Sequence, residues 1–141
     1  PAGYLEYSVF PLEGVWDVSE EAKARGGAGI SKSEYVFDLM IRQPDFVTPE
    51  YALSVIERTK ARKPLPRLEY ARFEVLEEGP CVQMTHLGPY DAEPASFARM
   101  EEFCAARGLE RLSKVHREIY MSDPRKTAPE KLRTVLRFRV Q

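Results

Sequence analysis

The chain has 141 residues, 43% of them apolar and 30% charged, with 21 Lys+Arg against 22 Asp+Glu. That length suits one folded domain, and 7 Phe, 7 Tyr and 1 Trp supply more apolar area than a disordered chain carries. A formal net charge of -1 excludes a wholesale polyanion binder, and no apolar run approaches the roughly 20 residues of a membrane span.

Tyr4–Asp17 is rich in aromatic and β-branched residues and reads as a strand bent or bulged near Gly14. Residues 18–33 carry Gly26-Gly27-Ala28-Gly29, which predicts a loop after a single helical turn. Tyr35–Arg42 reads as a buried strand ended by Pro44. Thr48-Pro49-Glu50 starts a helix with a hydroxyl cap, a proline at the first helical position and an acid in the first turn. Its apolar stripe is Ala52, Val55 and Ile56, and Pro64 and Pro66 stop it.

Glu69–Val75 and Cys81–Leu87 read as strands. Glu93–Arg107 is a second helix with Phe97, Met100, Phe103 and Cys104 toward a sheet and Gly108 just past its end. Val115–Ser122 and Leu132–Val140 are the last strands. Strand pairs separate the helices, so the predicted class is α+β with a largely antiparallel sheet and two helices packed on one face.

Alternation sorts the 115–122 strand into two sets. Val115, Arg117, Ile119 and Met121 point one way and are expected under a helix; His116, Glu118, Tyr120 and Ser122 point the other. Glu118 reads either as an exposed cross-strand partner of Arg137 or Arg133, or as a partly buried carboxylate. In the second case burial disfavours the anion, which suits a general base near neutrality, and aromatic walls would draw lipophilic cations. Trp16, Tyr35, Phe37 and Tyr90 are the candidate walls. His86, beside Gly88-Pro89-Tyr90, reads as a general acid or as a brace for that turn.

Two cysteines, Cys81 and Cys104, make no disulfide framework, and with only two histidines no Cys/His metal site is expected. A reducing, cytoplasmic compartment follows. No phosphate-cradling glycine loop is present, and no cofactor is expected. Residues 111–141 hold nine Lys/Arg against three Asp/Glu, but Arg133, Arg137 and Arg139 share a face without interleaved aromatics, so nucleic acid is not an expected partner.

Two strings are distinctive: Cys81-Val82-Gln83-Met84-Thr85-His86-Leu87-Gly88-Pro89-Tyr90, and the run from His116 to Lys131 containing Glu118-Ile119-Tyr120-Met121-Ser122-Asp123-Pro124-Arg125. Both resemble the GyrI-like small-molecule-binding family, and Pro11–Trp16 with Met40–Thr48 resemble its stand-alone subfamily. The resemblance implies two strand–helix–strand–strand units related by a pseudo-twofold, with a ligand groove between them. Here the first unit lacks its opening strand and helix, so residues 1–141 read as one N-terminally incomplete domain, with a second chain in a homodimer as one source of the missing wall.

The family includes effector domains of multidrug-responsive regulators and stand-alone proteins that hydrolyse cyclopropanoid, DNA-alkylating compounds. Its pocket carboxylate falls on Glu118 and its aromatic walls on Trp16, Phe37 and Tyr120. The implied ligands are bulky, planar, hydrophobic or cationic small molecules. Glu118 would activate water and the Tyr120 hydroxyl would stabilise charge on a conjugated carbonyl; His86, Tyr90, His116 and Tyr35 complete the expected site. The alternative is a non-catalytic drug sensor or sequestering domain.

Overall fold

The computed structural model describes residues 2–26 and 29–141, so Gly27 and Ala28 of the expected glycine loop lie outside the described residues. The chain divides into two compact units, Pro1–Phe10 with Arg42–Glu77, and Pro11–Ile41 with Glu78–Gln141. The second unit holds an antiparallel sheet of β1 (Leu12–Val18), β2 (Tyr35–Ile41), β3 (Cys81–Leu87), β4 (His116–Tyr120) and β5 (Arg133–Arg139), in the order β2-β1-β4-β5-β3. It also holds α1 (Glu20–Ala24) and α3 (Glu93–Arg107), while α2 (Pro49–Arg62) belongs to the first unit. The class is α+β with an antiparallel sheet, as expected.

Register assigns the faces. Gly14 pairs with Leu39 and Glu118, Trp16 with Phe37 and His116, Glu118 with Leu136, and Tyr120 with Thr134. Directly paired residues share a face. One face therefore carries Tyr35, Phe37, Leu39, Gly14, Trp16, His116, Glu118, Tyr120, Thr134, Leu136, Phe138, Val82, Met84 and His86. Helix α3 covers the β3–β5 end of it, where Val82, Met100, Cys104, Leu136, Phe138 and Val140 form the core. Each large side chain fully buried there contributes about 1.5–3 kcal/mol relative to exposure. The β2 end is bare: Tyr35, Phe37, Leu39 and Ile41 are all exposed.

This overturns the expected covering of β4. Arg117 pairs with Arg137 and Ile119 with Val135, so the set expected under a helix lies on the opposite face, and the His–Glu–Tyr row lies on the helix side. The paired guanidinium groups are reconciled by Glu78, which reaches Arg117 Nε at 3.3 Å and Arg137 Nη1 at 2.6 Å.

Both long helices begin and end where the sequence indicates. Thr48 Oγ1 accepts from the Tyr51 amide at 3.2 Å, and Gly108 closes α3 at φ 65°, a left-handed conformation that favours glycine. The expected stripe of α2 buries no residue fully; within its own unit the helix packs against a 3-10 turn at Pro66–Tyr70. That turn takes Glu69 and Tyr70 from the strand expected at Glu69–Val75, and residues 71–75 join no ladder among the described residues: Pro66 opens the turn, and the Leu68 and Ala71 amides bond to the Leu65 and Leu68 carbonyls. Tyr4–Phe10 is not a strand either. Apolar composition alone does not supply a ladder partner, and Tyr4, Tyr7, Phe10 and Phe46 instead cluster edge and face within the first unit.

Gly14 is not at a bulge, because β1 pairs residue for residue with β2 from Leu12 to Val18. The glycine serves close approach. A Cβ there would sit 2.6 Å from Trp16 Nε1 and 3.1 Å from the Tyr120 hydroxyl.

Candidate functional site

The bare and covered halves of the sheet face meet at β1 and β4, and the candidate site lies on this seam. Gly14 leaves a gap in the side-chain layer of β1, and the Trp16 indole folds over it to donate Nε1–H to the Tyr120 hydroxyl at 2.9 Å. Tyr120 in turn donates to Glu118 Oε2 at 2.8 Å. His116 Nε2 lies 3.0 Å from Glu118 Oε1, so with its hydrogen on Nε2 the ring donates there. Phe97 of α3 meets the His116 ring edge-on, with centroids 4.8 Å apart.

Glu118 is 8% exposed, which excludes the solvated reading, and Arg137 turns away to Glu78 and Gln83. A second carboxyl joins it. Glu93, the first residue of α3, is 7% exposed, and its Oε1 is buried without a donor. Burial first, then the charge of Glu118 and a hydrogen bond to it, push the Glu93 carboxyl up to about 8. The N-terminal end of a helix favours an anion by about 0.3–1 kcal/mol. Here desolvation and the neighbouring acid outweigh it.

The aromatic residues expected as walls do come together. Trp16 lies on Phe37 with centroids 4.7 Å apart and a tilt of 36°, and meets Tyr35 edge-on at 6.1 Å. On the other flank Tyr90 meets Tyr120 edge-on at 6.1 Å. Burial, followed by the charge of Glu118, raises the pKa of both Tyr120 and Tyr90, so their hydroxyls keep their protons. The Tyr120 proton is held by Glu118, which gives this phenol an orienting place in the site.

His86 sits apart from this group. Its Nε2 faces the Pro89 carbonyl at 3.1 Å, which can only accept, so Nε2 carries the hydrogen and Nδ1 accepts from Ser96 Oγ at 2.9 Å. With both nitrogens engaged, His86 ties the turn before α3 to the helix.

From the sequence, Glu93 was named only as the first residue of the second helix and given no role in the site. The signal was available two turns back from Met100: Glu93, Ser96, Met100 and Cys104 recur at helical spacing and are the buried residues of α3. Phe97 and Phe103 flank that stripe on opposite sides. Phe97 reaches His116 and Phe138, whereas Phe103 is 46% exposed beneath the Arg107 guanidinium, against expectation.

A buried carboxyl pair at the foot of an open aromatic wall can hold a flat apolar molecule, pair with a cation, or accept a proton from water. A family profile described as GyrI-like small molecule binding domain matches residues 12–141. Three solved structures from Listeria innocua are similar over 99% of this chain: one of a hydrolase (35% identity, TM-score 0.82, 66% of that chain), one of an uncharacterized conserved protein (36%, 0.83, 67%) and another of a hydrolase (35%, 0.81, 67%). The chain thus spans about two thirds of their length. No protein of curated function matches it.

Proposed function

The chain belongs to the family of GyrI-like small-molecule-binding domains, and from that premise we propose that it binds bulky, planar, hydrophobic molecules against Trp16, Phe37 and Tyr35 and hydrolyses strained cyclopropane electrophiles among them. The observation that carries the reading is a buried Glu118 carboxylate adjoining an aromatic surface left open. Two of the similar Listeria structures are of hydrolases, which supports water as the co-substrate.

In the proposed step a water oxygen bonds to the ring methylene as the adjacent ring C–C bond breaks. The released electron pair passes through the conjugated system to the carbonyl oxygen. Glu118 takes the water proton and returns it to solvent, and the oxygen that received the electron pair takes one from solvent, so the net change is addition of one water. Tyr120 and His116 orient Glu118, and the aromatic residues hold the ring system and exclude bulk water. The free thiols of Cys81 and Cys104 support a reducing, cytoplasmic setting.

Incubation with a cyclopropane-bearing alkylator and mass analysis of the products tests the reading. Wild type is expected to yield the ring-opened hydrate. Glu118→Gln is expected to bind comparably and turn over about 10²–10⁴-fold more slowly. Binding without conversion by wild type would end the enzymatic reading.

That outcome is what a second reading expects, in which the domain senses or sequesters ligands and Glu118 is a counter-ion for lipophilic cations. The Tyr120 proton favours it, since a hydroxyl committed to Glu118 is not free for a substrate carbonyl.

A further inference from the structure

Around Glu118 the donors are unevenly distributed. His116 faces one oxygen and the Tyr120 hydroxyl the other. Glu93 lies within hydrogen-bonding reach of the same carboxylate, yet its own buried Oε1 meets no donor. Two carboxyl groups can share a hydrogen bond only if one carries a proton. Glu118 is already an acceptor from two sides, so the proton belongs on Glu93.

We infer that Glu93 is a positioning acid: it holds the single proton of a Glu93–Glu118 carboxyl pair and donates it to Glu118, so that the pair presents one anion, fixed in orientation, to whatever occupies the aromatic wall. The inference rests on Glu118 being the site carboxylate. It adds a residue from α3, so the covered half of the sheet face sets the charge state of the open half. Glu118 of β4 adjoins Glu93 directly, Tyr120 of β4 and Tyr90 of the turn before α3 lie within reach of its charge, and His116 meets it only through Glu118. No lysine or arginine forms an ion pair with Glu93 or Glu118 among the described residues, so a second negative charge there would go uncompensated.

The experiment needs no ligand for its first arm. Infrared spectroscopy of the wild-type protein at pH 7 is expected to show the C=O stretch of one buried, protonated carboxyl, fading as the pH is raised through about 8. Glu93→Gln should lack that band. Glu13→Gln, which alters a buried carboxylate on the opposite face held by Arg117, should keep it. Absence of the band from wild type, or its survival in Glu93→Gln, overturns the inference. Should Glu93→Gln fail to fold, the wild-type pH titration alone decides.

The second arm is the pH profile of ring opening. The glutamine amide still donates to Glu118, so the profile of Glu93→Gln, normalised to its own rate at pH 7, is expected to lose the decline predicted for wild type above about pH 8. A decline retained by Glu93→Gln also overturns the inference. If wild type binds ligand without converting it, the hydrolytic reading fails while the infrared arm still judges the carboxyl pair.

Discussion

The two halves of one sheet face are built from the same alternation of apolar residues and meet different fates. On β5 and β3 that alternation ends beneath α3, where Leu136 and Phe138 are almost completely enclosed. On β2 it ends with Tyr35, Phe37, Leu39 and Ile41 in the open. Period-two patterning therefore marks a surface that can be buried, and the presence of a helix over it decides whether it becomes core or wall. The carboxyl pair sits where the two conditions meet: Glu93 belongs to the helix of the closed half, and Glu118 faces the rings of the open half.

Truncation should separate the halves most sharply. Phe138→Ala in the closed half is expected to cost about 3–5 kcal/mol in denaturant unfolding; a loss under 1 kcal/mol would mean that this half is not the core. Gly14→Ala, at the seam, should cost about 1–3 kcal/mol by driving Trp16 and the Tyr120 hydroxyl off the strand, with weakened ligand binding alongside.

The pH dependence of stability probes the link between the halves. The Glu93 carboxyl lies above its unfolded value of 4.5, so the folded state binds more protons between there and about 8, and wild-type stability falls as pH rises through that window. Replacing Glu93 by Gln should remove up to about 1.4 kcal/mol per pH unit of that slope. Thermal melts at pH 5 and pH 8 would show the variant matching wild type at the first and exceeding it at the second. The smallest stability effect belongs to the open half: Phe37→Ala, 48% exposed in wild type, should change stability by less than about 0.5 kcal/mol yet weaken binding of a flat polycycle about tenfold or more.

Much of this organisation could be read from the residues. Thr48-Pro49-Glu50 and Gly108 mark helix ends by local chemistry, which needs no knowledge of the rest of the chain. The grouping of His116, Glu118 and Tyr120 follows from strand geometry alone. Which side of β4 would receive a helix did not follow, because that depends on register with β5, and Val115, Ile119 and Met121 looked the more greasy set. Gly14 was misread for a related reason: a glycine in a strand signals either a bulge or close approach, and only the positions of Trp16 and Tyr120 distinguish them. Glu93 escaped because a first-turn acid has a sufficient local explanation, and its partner is 25 positions away in the chain.

The chain contains a single tryptophan, and its indole N–H belongs to the chain of bonds that runs through Tyr120 to Glu118. Its ring also lies on Phe37 at the open wall. The molecule thus carries an optical reporter in its own site, with no label required. Intrinsic emission excited at the indole should respond to an occupant that displaces Phe37 and to loss of the Tyr120 bond, giving a continuous signal of site occupancy from the unmodified protein.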